Sequence, residues 1–136
     1  MISSKRGFTC GSFDLTHAGH FLMFEECKEH CGYLIVGLQT DPTLDRPEKN
    51  KPVQSIVERW YQLKACKFID EVVVYDTEHS LLNLLKILKP DVRFVGSDHK
   101  DKPFTGDDLP IPLIFTSREH TYSSSSLRRR ACNPRT

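Results

Sequence analysis

The chain has 136 residues, and its 19 lysines and arginines nearly balance its 18 aspartates and glutamates, giving a formal net charge of +1. This length predicts a single domain over residues 1–136, and the balanced charge gives no support to general nucleic-acid or membrane-surface binding. No apolar run approaches the roughly 20 residues that cross a bilayer. The first residues also lack an apolar signal core, so the sequence predicts a cytoplasmic protein.

Strands and helices alternate from the start of the chain. A short strand over 6–12 precedes a helix from Ala18 to about Cys31, whose apolar residues keep a helical period and whose end is marked by Gly32. The continuous apolar run over 33–38 predicts a strand that is covered on both faces. A polar loop over 40–52 follows it, punctuated by prolines.

Ser55 and Glu58 form an S-x-x-E capping box, which predicts the start of the second helix. The remaining predicted elements are a helix from Ile56 to Phe68, a buried strand over 71–75, a helix over 80–89 ended by Pro90, a buried strand over 92–96, an edge strand over 111–115 that contains Pro112, and a serine-capped helix over 123–132.

Five strands alternating with helices predict an α/β fold, a Rossmann-like doubly wound five-stranded parallel sheet with helices on both faces. In such sheets, ligands bind beyond the carboxyl ends of the strands, at the switch point in strand order. Polar clusters follow four of the strands, which predicts that they converge on one cleft. Their sequences are GSFDLTHAGH, TDPTLDRPEKNK, GSDHK and TSREHTYSSSS.

Two histidines, His17 and His20, stand one helical turn apart just after the first strand. They are candidates for metal ligation, for core packing or for a phosphate site. Zinc would need further ligands at suitable spacing, and the H-E-x-x-H pattern is absent, so no protein-bound metal is assigned. A helix N-terminus favours anions, and Gly11 lets the backbone turn and approach a ligand closely. The pair is therefore interpreted as directed at a phosphate.

The serine run over 123–126 lies where a helix begins, and three arginines follow it. Hydroxyls and N–H groups at a helix start form an anion site, whereas the alternative is a flexible linker with a basic tail. Asp14 and Asp98 follow glycine-containing strand ends and are candidates to hold a ribose, a magnesium-bound water or a cation, with a plain loop role as the alternative for Asp98. Single cations are usually solvated, yet four in these clusters are able to neutralise phosphate: Lys49, Lys51, Arg59 and Arg118.

The stretch GSFDLTHAGH resembles the G-x-F-D-x-x-H-x-G-H signature of the nucleotidyltransferase superfamily related to class I aminoacyl-tRNA synthetases. REHTYSSSSLRRR resembles the second signature, which runs R-T-x-G-I-S-T-T in the cytidylyltransferases. The resemblance covers nearly the whole chain, and the short length is most similar to glycerol-3-phosphate cytidylyltransferases. Glu119, Thr121 and Tyr122 depart from the second signature, and the serine run is also similar to that of sugar-phosphate adenylyltransferases.

The resemblance implies catalytic roles for His17, His20, Lys51 and Arg118, and substrate binding by Arg59. It also implies a larger set of nucleotide-binding residues, which consists of Gly11, Ser12, Phe13, Asp14, Gly19, Asp98, Ser123, Ser124 and Ser125. The nucleobase pocket is expected around 96–99 and 118–122. No protein metal ligand is implied, because Mg²⁺ would arrive with the triphosphate.

The activity implied by the resemblance is transfer of a nucleotidyl group from CTP to a phosphomonoester such as glycerol 3-phosphate, with release of pyrophosphate. The alternative within the superfamily is an ATP-dependent adenylyltransferase for a sugar phosphate of the heptose-phosphate kind. Alternatives of other classes are a catalytically silent nucleotide-binding regulatory domain and RNA binding through 128–130, which lack aromatic partners. A homodimer is expected, with neither nucleic acid nor membrane as a partner.

Overall fold

The computed structural model of the chain describes residues 4–117 and 120–133. Its strands are β1 (Arg6–Gly11), β2 (Tyr33–Gln39), β3 (Glu71–Tyr75), β4 (Val92–Gly96) and β5 (Leu113–Thr116). Its α-helices are α1 (Ala18–Glu29), α2 (Ile56–Lys64), α3 (Glu78–Leu88) and α4 (Ser124–Cys132), and single turns of 3-10 helix occupy Pro42–Leu44 and Ser97–His99.

The five strands form one parallel sheet in the order β3-β2-β1-β4-β5. The chain moves outward from β1 to β3 and then returns to the other side of β1 with β4. This reversal places the switch point between β1 and β4, where the flanking connections leave in opposite directions and open a crevice. The predicted Rossmann-like five-stranded parallel sheet is confirmed.

Helices cover both faces of the sheet, because alternate strand residues point to opposite sides. On one face, Leu34 and Val36 of β2 pack with Phe24 and Cys27 of α1 and with Leu63 of α2. On the other face, a second core joins the central strands to α3; its buried members are Phe8, Ile35, Tyr75, Leu81 and Leu85. The two cores fix the sheet between its helices and hold the strand ends of the crevice in place.

The helix ends differ from the sequence prediction in two places. Helix α1 ends at Glu29 with His30 as its C-cap in the right-handed region, so the prediction that Gly32 caps this helix is wrong. Gly32 instead donates its backbone N–H to the Lys5 carbonyl at 3.0 Å, leading into β2. Helix α2 ends at Lys64, short of the predicted Phe68.

The capping box that was predicted at the start of α2 is confirmed. The Glu58 amide donates to the Ser55 hydroxyl at 3.1 Å, and the Ser55 amide donates to the Glu58 carboxylate at 3.0 Å. The predicted edge position of β5 is also confirmed, but the strand spans Leu113–Thr116, so Pro112 precedes it and does not lie within it. Strand β3 is the other edge of the sheet, where Val74 is 49% exposed, so its apolar run does not mark a fully buried strand.

One loop conformation depends on a glycine, Gly106, which has φ +82°. A Cβ atom there would lie 2.9 Å from Nη1 of Arg93 and 2.9 Å from Cδ1 of Leu85. Because both side chains are buried and the backbone is left-handed, we expect Gly106→Ala to lower the free energy of unfolding by about 1–3 kcal/mol. Urea titration checks this value; Lys102→Ala in the same loop is the control, and an unchanged midpoint for Gly106→Ala would contradict the strain.

No helix within residues 4–117 and 120–133 combines the length and apolar character needed to span a bilayer.

Candidate active site

A cavity of about 420 Å³ opens at the carboxyl ends of β1, β4 and β5, beside the switch point. Three of the four polar clusters meet there: the segment after β1, the segment after β4 and the serine-rich segment after β5. The residues from these segments that line it include His17, Gly19, His20, Gly96, Asp98, His120, Tyr122, Ser123, Ser124 and Ser125. The predicted convergence of distant polar segments is therefore observed for these three.

The two histidines occupy the first turn of α1. His17 is the N-cap residue, and its Nδ1 accepts the Gly19 backbone N–H at 3.1 Å. Nδ1 of His20 accepts the His17 backbone N–H at 3.2 Å, and the two ring centroids lie 4.1 Å apart. The ring of Phe13 packs edge-on against His20 with centroids 5.8 Å apart. Backbone bonds and packing therefore fix the orientation of both rings.

This hydrogen bonding determines what the imidazoles offer a ligand. A neutral imidazole that accepts through Nδ1 carries its proton on Nε2, so each ring is a donor at Nε2. The first turn of α1 adds partial positive charge and backbone N–H groups on the same side. Among the described residues, no three His, Cys, Asp or Glu side chains form a group that could hold a metal ion. The orientation of the two rings agrees with the phosphate-directed interpretation made from the sequence, and the catalytic role of the pair stays a prediction.

The serine run begins the second helix that faces the cavity. Ser123 is the N-cap of α4 and accepts the Ser126 backbone N–H at 3.0 Å, which confirms the predicted serine cap. Ser124 and Ser125 form its first turn and line the same cavity as the histidines. Two helix N-termini and three hydroxyls therefore surround one space, an arrangement that favours a polyanion such as a triphosphate.

Four further residues shape the same cavity. The side chain of Asp98 is 53% exposed, and its nearest ionic neighbour is His99 at 3.7 Å. His120 stacks on Tyr122 with centroids 5.5 Å apart. Gly19 lies directly beneath His120. A Cβ atom at Gly19 would lie 2.7 Å from Cε1 of His120, so the ring comes this close to the helix because Gly19 has no side chain. His120 lies in the range predicted to form the nucleobase pocket, although its contact with the histidine turn was not predicted.

One predicted catalytic residue, Lys51, does not line this cavity. The side chain of Lys51 is 80% exposed on the loop after β2 and lies 3.8 Å from the Asp41 carboxylate. Arg118 lies outside the described residues. The catalytic roles of both residues stay predictions.

Arg59 has a different position from the one expected of a substrate-binding residue. It is only 2% exposed, and it donates to the carbonyls of Ser12 at 2.9 Å, Gln39 at 2.6 Å, Thr40 at 2.6 Å and Gln54 at 3.2 Å. These bonds tie the end of β1 to the loop after β2. The geometry favours a positioning role for Arg59 over the direct substrate contact that the resemblance implied.

The turn after β1 is built differently from its sequence prediction. Gly11 has no left-handed backbone; the positive φ values fall on Phe13 at 46° and Leu15 at 53°. Gly11 instead accommodates the Phe13 ring, because a Cβ at Gly11 would lie 3.3 Å from that ring. The turn thereby buries Phe13 beneath His20, while the Ser12 carbonyl accepts from Arg59.

Asp14, predicted to bind nucleotide, is 7% exposed and joins three segments of the chain. Its carboxylate accepts the backbone N–H groups of Val53 at 2.8 Å and Gln54 at 2.9 Å, and Nη2 of Arg128 at 2.9 Å. Burial opposes ionisation of Asp14, but the two backbone donors and Arg128 outweigh it and lower its pKa below the ordinary value. Asp14 therefore fastens α4 and the 52–54 segment to the turn that carries the histidines.

The lowered pKa of Asp14 predicts acid sensitivity of the fold. Its stabilising contribution is complete above the unfolded pKa of about 3.8 and is lost as the pH falls through the lower folded pKa. We expect Asp14→Asn to lower the free energy of unfolding by about 2 kcal/mol at pH 7 and to flatten its decline below about pH 4. Thermal unfolding across pH 2–7 measures both effects. Equal pH profiles for the variant and the parent would contradict this role.

Cys10 lies between this cavity and a neighbouring one that Arg93 also lines, and the sequence analysis identified neither as a site residue. Cys10 lines both cavities at the end of β1. Burial raises the pKa of the Cys10 thiol, although Arg93 opposes this, so the thiol stays protonated at neutral pH. The available signal for Arg93 was an arginine inside the apolar run VRFVG, where a buried strand ordinarily carries no charge.

The sheet order and the cavity define a class: a parallel α/β protein with a polar cavity at its switch point. The family model described as Cytidylyltransferase-like matches residues 8–130. The chain therefore belongs to the cytidylyltransferase-like family, within the nucleotidyltransferase superfamily that its two signatures resemble.

The chain is also similar to curated proteins that share one name. The chain is 37% identical over 121 residues to "Bifunctional protein HldE" of Campylobacter jejuni. The matched region covers 88% of this chain and 26% of that protein. It is 39% identical over 108 residues to the protein of the same name from Caulobacter sp., covering 79% of the chain and 22% of that protein. The chain thus spans about a quarter of the length of these curated relatives.

Among solved structures, the fold matches the lipopolysaccharide core biosynthesis protein from Thermoplasma volcanium with a TM-score of 0.71 and 21% identity, covering 85% of this chain and 98% of that one. It also matches the structure named "a Putative Nicotinate-nucleotide Adenylyltransferase from Vibrio parahaemolyticus" with a TM-score of 0.60 and 15% identity, covering 98% of this chain and 90% of that one. At these identities the two structures support the fold.

Proposed function

We propose that the chain transfers a nucleotidyl group from a nucleoside triphosphate to a phosphomonoester. An oxygen of the acceptor phosphate forms a bond to the α-phosphorus. The bond from that phosphorus to the α,β-bridging oxygen breaks, and pyrophosphate leaves with the electron pair. The acceptor phosphate is already largely ionised near neutral pH, so the reaction requires neither a general base nor a covalent enzyme intermediate. Catalysis then consists of positioning and charge stabilisation.

The observation that carries this proposal is the meeting of His17, His20 and the Ser123–Ser125 turn around one cavity of about 420 Å³. In the proposed mechanism the Nε2 donors of both histidines contact the α-phosphate as negative charge increases there. The serine hydroxyls and the N-terminus of α4 hold the β- and γ-phosphates. These roles use groups that the fold has already oriented.

Mg²⁺ fits this site as a companion of the triphosphate. A cavity with few carboxylates suits a Mg²⁺ ion that keeps several waters and binds mostly through phosphate oxygens. Asp98 is the carboxylate of the described cavity lining, and it is exposed enough to accept a hydrogen bond from a magnesium-bound water. The ion would neutralise charge on the triphosphate and on the departing pyrophosphate.

The identity of the nucleotide and of the acceptor belongs to the proposal. The resemblance to short glycerol-phosphate enzymes favours CTP and glycerol 3-phosphate. The similarity to proteins named HldE favours the other interpretation, ATP with a sugar phosphate of the heptose-phosphate kind. A homodimer and the cytoplasm remain the expected assembly and compartment.

Calorimetric titration of CTP and ATP into the same magnesium-containing sample separates the two candidates. A pocket that hydrogen-bonds one base edge leaves buried groups unpaired with the other base, so we expect at least tenfold discrimination, about 1.4 kcal/mol. Both curated relatives described above share the name HldE, which leads us to expect ATP as the tighter ligand. Tighter binding of CTP would restore the glycerol-phosphate interpretation.

Turnover is measured in parallel as pyrophosphate release, crossing both nucleotides with a panel of phosphomonoesters. Release that depends on both substrates supports nucleotidyl transfer. Nucleotide binding with no release for any acceptor would indicate the silent regulatory domain instead. Salt-sensitive RNA binding in the absence of nucleotide binding would favour the exposed arginines of α4 as the functional feature.

A further inference from the structure

Arg93 is a charged side chain in the middle of the sheet. It lies on β4, next to β1 and β5, and it is only 5% exposed. No carboxylate lies within ion-pair distance of it among the described residues. Burial of a guanidinium without a counter-charge is costly, so a buried arginine of this kind normally has an anionic partner.

The contacts of Arg93 position the guanidinium without neutralising it. Nη1 donates to the Thr105 carbonyl, Nη2 lies 3.9 Å from Sγ of Cys10, and the group sits 5.2 Å from the centre of the Phe104 ring. Its Nε is buried and has no hydrogen-bond partner. A carbonyl, a thiol and an aromatic ring orient the group but leave its charge uncompensated.

Arg93 lines a second cavity of about 320 Å³, on the β2 side of the switch point. Two more cations from the loop after β2, Arg46 and Lys49, line it, and Glu78 is the carboxylate of its described lining. The cavity shares Thr9, Cys10 and Gly96 with the cavity that contains the histidine pair. A molecule in this space would lie against the same strand ends as the nucleotide.

We propose that this second cavity binds an acceptor carrying a second anionic group, a carboxylate or a phosphate, at the end away from the reacting phosphate, and that Arg93 selects it. This deepens the proposed function and rests on it, because the histidine cavity is taken as the nucleotide site. The second anion supplies the counter-charge that Arg93 lacks, while the reacting phosphate reaches the shared strand ends. A neutral acceptor, such as the glycerol 3-phosphate or heptose phosphate considered above, would leave the guanidinium buried and unpaired. The inference therefore favours an acidic phosphomonoester over both.

Matched acceptors that differ only in the distal group test this proposal. Two pairs suit it: glucuronic acid 1-phosphate with glucose 1-phosphate, and 3-phosphoglycerate with glycerol 3-phosphate. In each pair, a carboxylate replaces a neutral hydroxymethyl group. By calorimetry without nucleotide, we expect the wild-type chain to bind the acidic member of at least one pair tenfold or more tightly than the neutral member.

Arg93→Met removes the charge but keeps much of the volume, and Arg93→Lys keeps the charge. We expect the preference to fall below twofold in Arg93→Met and to survive in part in Arg93→Lys. Lys86→Met, an exposed position on α3, should keep the full preference. With the acidic acceptor, Arg93→Met should raise the acceptor KM by about tenfold and leave the nucleotide KM unchanged.

Equal wild-type binding of both members of both pairs would overturn the proposal, and so would a tenfold preference that persists in folded Arg93→Met. If Arg93→Met does not fold by circular dichroism, the wild-type preference and its retention in Arg93→Lys decide instead. Arg93-dependent binding of the acidic member without pyrophosphate release would refute nucleotidyl transfer but not the anion site. Efficient transfer to neutral acceptors with no Arg93-dependent preference would refute the anion site alone.

Discussion

Replacement of His17 or His20 by alanine is expected to lower turnover by about 100-fold or more while leaving the fold intact. The cause is the loss of an oriented Nε2 donor at the α-phosphate, where charge increases only in the transition state. We expect kcat to fall far more than the KM of either substrate rises, since the ground state makes less use of the contact. Steady-state pyrophosphate release measures both constants.

A matched variant separates this catalytic effect from a capping effect at His17. Asparagine is a strong N-cap residue, so His17→Asn preserves an acceptor for the Gly19 amide while removing the imidazole donor. Its stability by urea unfolding should stay close to wild type, and its turnover should fall as far as that of His17→Ala. Near-wild-type turnover in His17→Asn or in folded His20→Ala would remove that residue from the catalytic role.

Loss of the Arg59 guanidinium is expected to be the most destabilising single change in the chain. Arg59→Met leaves four backbone carbonyls, those of Ser12, Gln39, Thr40 and Gln54, without their donor in a buried space. We expect the free energy of unfolding to fall by about 3 kcal/mol or more, because each unsatisfied buried acceptor loses its compensation. Urea unfolding followed by circular dichroism gives the value.

Two further variants sharpen the test of Arg59. Arg129→Met, an exposed position on α4, is the control and should change stability by less than about 0.5 kcal/mol. Arg59→Lys should recover only part of the loss, since one ammonium cannot reproduce the planar fork of donors. If Arg59→Met keeps its stability but raises the KM of the acceptor, Arg59 binds substrate and the positioning role is wrong.

Local physical rules account for what the sequence predicted correctly. The strand pattern was readable because buried parallel strands form continuous apolar runs, as in 33–38. The capping box at Ser55 and the serine cap of α4 were readable because such caps involve groups only three residues apart. The prediction that Gly32 caps α1 was wrong because the Gly32 backbone N–H donates to the Lys5 carbonyl, just before β2 begins.

The polar clusters of the site were predictable as a group. The carboxyl ends of parallel strands share one edge, so the histidine turn, Asp98 and the serines were expected together and line one cavity. The hydrogen-bond partners and burial of each side chain were less predictable. Asp14 lies in the same motif as the histidines and Arg59 was predicted to bind substrate, yet both are held by partners distant in sequence. Gln39 is 20 residues from Arg59, and Arg128 is 114 residues from Asp14.

The sequence by itself therefore determined the family, the sheet and the edge at which the site lies, because hydrophobic periodicity, capping and signature spacing are local properties. The tertiary structure alone decided which charged groups face the cavities and which are buried and hydrogen-bonded to other segments of the chain. Arg93 shows the reason: its burial, its missing counter-charge and its place beside Cys10 arise from β1, β4 and the 104–106 loop packing together. No local pattern encodes such a long-range arrangement.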